Sequence, residues 1–154
     1  MQDDVYLVEG QKWLRYAQGD LQAAEAAIGQ SDFEPRHVCF FAQQAAEKAL
    51  KAVLVFLQRD VPRTHDLDVL ISKLPQKWPL VQEFDDLNNL TDWAVDSRYP
   101  DPENDATDED ASESIRQARA VFIAVWRDLR AHGFDIAFEE VALEEKVAKQ
   151  MSKE

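Results

Sequence analysis

The 154-residue chain is predicted to be all-α, an antiparallel up-and-down bundle of four long helices plus a short connecting helix. Three observations predict it. Apolar residues return at steps of three and four in four separate stretches, the period that gathers them on one side of a helix. No stretch of useful length alternates apolar and polar residues as a half-buried strand does. The chain also has only four glycines and six prolines, too few for the many turns of a β-sandwich.

In the first stretch, Trp13 or Leu14, Ala17, Leu21, Ala24 and Ile28 share a face, and Gly29 supplies the stop. The second runs from about Pro35 to Gln58. Pro35 suits a first-turn position, because its missing N–H has no helical partner to lose there. The apolar set is wide: Val38, Phe41, Ala42, Ala45, Ala49, Val53 and Phe56, with Leu50, Leu54 and Leu57 beside it. An arc that broad implies burial on two sides, so this helix is expected at the centre. A narrow polar stripe of Gln43, Gln44, Glu47, Lys48 and Lys51 interrupts it and is expected to be a solvated face with weak ion pairs.

A polar connector, Arg59 to His65, leads to a short helix from Asp66 to Leu74 that ends at Pro75. Leu80, Phe84, Leu87, Thr91 and Ala94 then line one face of a third long segment. It stops before Arg98-Tyr99-Pro100, because the residue preceding proline is pushed out of the α region. From Asp101 to Ser114 there are seven acids and no base. This run reads as a solvated loop entering a helix, with Thr107 and Asp110 spaced as a capping box and acids matched to the helix dipole. The last long helix carries Ala111, Ile115, Ala118, Phe122, Val125 and Leu129, and His132-Gly133 closes it. Two parts follow: a bundle over residues 1–133 and an acidic extension over 134–154. The extension's Phe134, Ile136, Phe138, Val141, Leu143 and Val147 would dock on the bundle or on a second subunit, or belong to a frayed helix.

Charge and cysteine usage exclude several functions. With 17 Lys+Arg against 30 Asp+Glu the net charge is −13, the opposite of the basic footprint that broad phosphate-backbone binding needs. The acid run lacks the glycine of an EF-hand loop, and no Cys/His spacing suits a metal. No phosphate-cradling glycine loop or nucleophile-elbow motif occurs, so no cofactor and no enzyme class is indicated. The single Cys39 sits in an apolar run and is expected to be an inert core thiol. The amino terminus, MQDDVYLVEG, opens with acids, and no apolar stretch approaches the ~20 residues that span a bilayer. A cytoplasmic location with no membrane contact is the expectation.

The run Phe41-Ala42-Gln43-Gln44-Ala45-Ala46-Glu47-Lys48-Ala49-Leu50-Lys51-Ala52 resembles the second helix of HEPN domains. Thr64-His65-Asp66-Leu67 opening a short helix, Ser97-Arg98-Tyr99-Pro100 closing the next long one, and a final amphipathic helix follow in that family's order. The similarity spans about residues 9 to 131. It implies a bundle of four or five helices that is usually a homodimer, often encoded beside a minimal nucleotidyltransferase, some pairs being toxin–antitoxin systems. Other members are metal-independent ribonucleases with an Arg, four to six residues, then a His at the start of the last long helix. Here Tyr99 to Asp110 contains no histidine. Arg59 to His65 and Arg127 to His132 meet the bare spacing, but neither is in register with the family's motif.

The candidate nucleotide or phosphate ligands are Arg98, His65, Tyr99, Lys48 and Lys51. Arg98 is a planar permanent cation suited to phosphate, or it pairs with Asp96 or an acid of 101–110. His65 contacts an anion or caps the following helix. Tyr99 stacks on a base or packs with its hydroxyl satisfied. Gln44 and Glu47 are candidates for a dimer or partner seam. The leading function is a non-catalytic HEPN-type homodimer that binds a minimal nucleotidyltransferase, with a nucleotide as a further ligand and RNA disfavoured. The alternatives are a metal-independent RNA-cleaving toxin that pairs Arg98 with His65, and a nucleotide sensor acting alone.

Overall fold

Six helices follow one another in the computed structural model, which describes residues 3–100 and 105–136. They are α1 (Asp3–Ala27), α2 (Pro35–Phe56), α3 (Leu67–Ser72), α4 (Pro79–Glu83), α5 (Asn88–Asp96) and α6 (Asp108–Ala131). Their ends follow local chemistry. Gly29 takes a positive φ of 78° just past α1, and Gly133 takes 91° past α6, conformations glycine adopts without a Cβ penalty. Pro35 opens α2, and the Thr107 hydroxyl and Asp110 carboxylate each accept the other's backbone N–H in a full capping box.

The third long segment is broken in two. Phe84 turns extended after α4, and the Leu87 N–H is accepted by the Asp68 carboxylate of α3 at 3.1 Å. Asp86 then accepts the Asn88 N–H at 2.9 Å and starts α5 afresh. One apolar face survives, since Leu80, Leu87, Leu90 and Ala94 are all buried, but a tertiary hydrogen bond interrupts the helix that carries it.

Contacts between helix ends fix the directions. Gly10 near the start of α1 lies against the ring of Phe56 at the end of α2, and Lys48 reaches Asp20 at 2.5 Å, so these helices are antiparallel. Arg119 midway along α6 meets Glu25 near the end of α1 at 3.1 Å, and Gln11 near the start of α1 reaches Asp135 just past the end of α6, so that pair is antiparallel too. It follows that α2 and α6 run the same way, and they pack directly on each other. The bundle is up-and-down in chain order, but its centre is this parallel pair. The central place of α2 follows from its apolar arc: it touches α1, α3, α5 and α6.

Beyond α6, Phe134 packs on Phe56 with ring centroids 5.1 Å apart, Ile136 is buried, and Gln11 donates to the Asp135 carbonyl at 2.8 Å. The start of the extension therefore belongs to the bundle. Phe138, Val141, Leu143 and Val147 lie outside the described residues. No described helix is long and apolar enough to cross a membrane.

Candidate functional site

A pocket of about 410 Å³ opens where the end of α5 meets the start of α2. Ser97, almost wholly buried, joins the two helices: its hydroxyl donates to the Trp93 carbonyl, and its own carbonyl accepts Nη1 of Arg36 at 3.1 Å. Arg36 also pairs with Glu34 at 3.1 Å. The next residues, Arg98-Tyr99-Pro100, leave the helix and line the pocket with Trp93, Asp96, Asp105 and Ala106. Tyr99 is 65% exposed. Among the described residues no carboxylate pairs with Arg98 and no acceptor takes its guanidinium. A cation that lines a pocket together with two aromatic residues is chemistry that suits a phosphate attached to a flat base.

His65 heads a second polar cluster. Its Nδ1 sits 2.7 Å from Oε1 of Glu47, and Lys51 holds the other carboxylate oxygen at 3.0 Å. Gln43, fully buried, donates to both Glu47 (3.2 Å) and the His65 carbonyl (3.1 Å), and itself accepts from Gln44 at 2.7 Å. Glu47 is only 4% and Lys51 8% exposed. Burial alone would raise the Glu47 pKa; the hydrogen bonds from His65, Lys51 and Gln43 and the charge of Lys51 outweigh it and hold the carboxyl below its ordinary value. The imidazole remains half-exposed, with Nδ1 occupied by this cluster.

The two places are separate within the chain. Glu47 lies eleven residues along α2 from Arg36, about 16 Å at the helical rise. At the α3 side, Thr91 accepts the Leu67 N–H at 3.0 Å, two turns before Arg98 on the same helix run. His65 thus sits beside Glu47 in the middle of α2 and Arg98 beyond the end of α5 near Arg36, so one chain does not bring them onto the same phosphate.

The HEPN domain family model matches residues 11–129. The chain belongs to the HEPN family. The crystal structure of TT1696 from Thermus thermophilus is similar at 28% identity and a TM-score of 0.67, with 78% of this chain and 98% of that one covered. ST0689, an archaeal HEPN homologue, is similar at 29% identity and a TM-score of 0.58, covering 76% and 94%. None of the curated proteins compared matches the chain. HEPN membership supports a nucleotide-binding or ribonuclease-like module.

Within the HEPN bundle several expectations change. The polar stripe of α2 is no solvated face, because the connector carrying His65 lies over Gln43, Glu47 and Lys51 and shuts them from water. Lys48, half-buried, turns to Asp20 of α1 rather than towards either cluster. His65 does not cap α3: the Asp66 carboxylate does, accepting from Asp68 and Val69. Arg59 donates to the Lys73 carbonyl, Arg127 pairs with Glu83 and Asp128, and His132 stacks on Trp78 at 4.2 Å, so both loosely spaced Arg/His pairs have structural partners. Asp101 and Glu103 of the acid run lie outside the described residues. Among the described ones no three His, Cys, Asp or Glu gather as a metal site. Burial raises the Cys39 thiol to about 11, with the nearby Asp110 charge acting the same way and a Ser114 contact opposing it.

Arg36 and Trp93 were not legible as site residues. Each looks in sequence like an ordinary member of its helix; Trp93 stands on the same helix run as Arg98, while only the approach of α5 to the start of α2 brings Arg36 there.

Proposed function

We propose that this protein is a non-catalytic HEPN-type binding module, a homodimer that partners a minimal nucleotidyltransferase in a two-component, toxin–antitoxin-like system and binds a nucleotide at the Arg98 pocket. The observation that carries the reading is the pocket itself: an Arg98 guanidinium without a protein acceptor among the described residues, set with Trp93 and Tyr99. Two facts support the non-catalytic part. No histidine follows Arg98 before Asp110, and His65 is hydrogen-bonded to Glu47, eleven residues along α2 from Arg36. The acids around the pocket support a partner with a basic patch, since opposite charge raises the association rate.

The test is affinity capture of a tagged full-length copy from its native host, read by mass spectrometry, with the Arg98→Ala variant in parallel. A small nucleotidyltransferase recovered in near-equal amount is the expected result. Its absence, or RNA cleavage by the clean wild-type protein that Arg98→Ala and His65→Ala each abolish, would overturn the reading.

A further inference from the structure

The walls of the Arg98 pocket carry more negative than positive charge. Arg36 and Arg98 face Glu34, Asp96 and Asp105. Arg36 is already committed, through Glu34 and the Ser97 carbonyl, to holding α2 against α5. Of the described residues lining this pocket, only Arg98 is left to meet an anion.

The way out of the pocket is more acidic still. Past Trp93, Asp96 and Asp105 it continues into a second cleft of about 500 Å³ between α5 and α6, where Asp92 and Asp110 add two more carboxylates and Glu113 a third that Arg116 already pairs. The crowding is already felt inside the protein: partial burial, then the charges of Asp96 and Asp66, hold the Asp92 carboxyl above its usual range. A phosphate chain growing along this cleft from Arg98 would meet one like charge after another, with no further cation lining it among the described residues. A ribose or a base amino group, by contrast, finds acceptors in the same carboxylates.

We propose that the pocket accepts one phosphate monoester and no more, so that its ligand is a nucleoside monophosphate and the matching di- and triphosphates are disfavoured. The inference rests on the reading of this pocket as a nucleotide site. A single unit charge about 4 Å from another in water is worth roughly fivefold in affinity, and screening by salt limits its reach. Two added phosphates therefore weaken binding by roughly fivefold or more.

The experiment is calorimetric titration of the full chain with AMP, ADP and ATP at about 0.1 M salt, each with and without Mg²⁺. The expected order is AMP tightest and ATP weakest, with the gap narrowing in the Asp96→Asn/Asp105→Asn double variant and AMP binding lost in Arg98→Ala. Both acids are exposed, so their exchange leaves the fold intact. ATP binding as tightly as AMP, in either metal condition, overturns the inference while leaving the nucleotide site standing. So does a gap that the double variant leaves unchanged. If no nucleotide binds, or Arg98→Ala binds AMP normally, the nucleotide reading of the pocket fails and this inference fails with it.

Discussion

Glu47 shows how much one buried carboxylate can organise. It receives His65, Lys51 and Gln43 at once, and without it the Lys51 ammonium would be shut in with no counter-charge. Glu47→Ala is expected to destabilise the fold by about 3 kcal/mol, the range for stripping one partner from a buried ion pair. Urea denaturation measures it; a loss below about 1 kcal/mol would mean the pair is solvated after all. The pH dependence has a definite sign. The folded carboxyl lies below its unfolded pKa of roughly 4.3, so the unfolded chain binds the proton more readily. The stabilisation is complete above that unfolded value and is lost as pH falls through the folded one. Glu47→Gln should flatten this acid limb, and an unchanged limb would assign it to other groups. His65 carries the same lesson in reverse: its sequence position beside a helix start made it look like a cap, yet its ring serves α2.

Among the elements, α4 depends most on a distant residue. It is five residues long, too short to hold itself, and the Asp128 carboxylate of α6 accepts the Leu80 N–H in its first turn at 2.8 Å. Asp128 is almost wholly buried, so Asp128→Ala leaves that N–H without an acceptor and Arg127 with one partner fewer. A loss of about 2 kcal/mol is expected. Hydrogen exchange should quicken first at Leu80 and its neighbours; uniform quickening throughout the bundle would show that α4 has no independent opening. The boundaries of α1, α2 and α6 were legible because glycine, proline and a Thr/Asp pair act within one turn of where they stand. The break between α4 and α5 was not. Its periodicity runs on without interruption, and the hydrogen bond that splits it comes from Asp68, on another helix.

At the scale of the whole molecule, the net charge of −13 is a steady cost to compaction, concentrated around the end of α5 and the start of α6. Salt should relieve it. Raising NaCl from about 0.02 to 0.5 M is expected to lift the melting temperature by roughly 3 °C, equivalent to about 1 kcal/mol for a chain of this size. A flat or falling melting temperature would show that the ion pairs Arg119–Glu25 and Lys48–Asp20 lose as much to screening as the acidic face gains. Under the proposed function the same face would favour a basic protein partner and a ligand of low charge.

Read alone, the amino-acid sequence establishes the all-helical class, the central place of α2, the family and the identity of Arg98 and His65 as residues to watch. All of these rest on periodicity or on short strings whose meaning is local. Packing was needed to show that α2 and α6 run parallel, that the stripe of Gln43, Glu47 and Lys51 is buried under His65, and that Arg98 shares a pocket with Arg36 and Trp93 rather than with the histidine. A side chain's period says which face of a helix it occupies, but whether that face meets water, a loop or another helix depends on segments far along the chain.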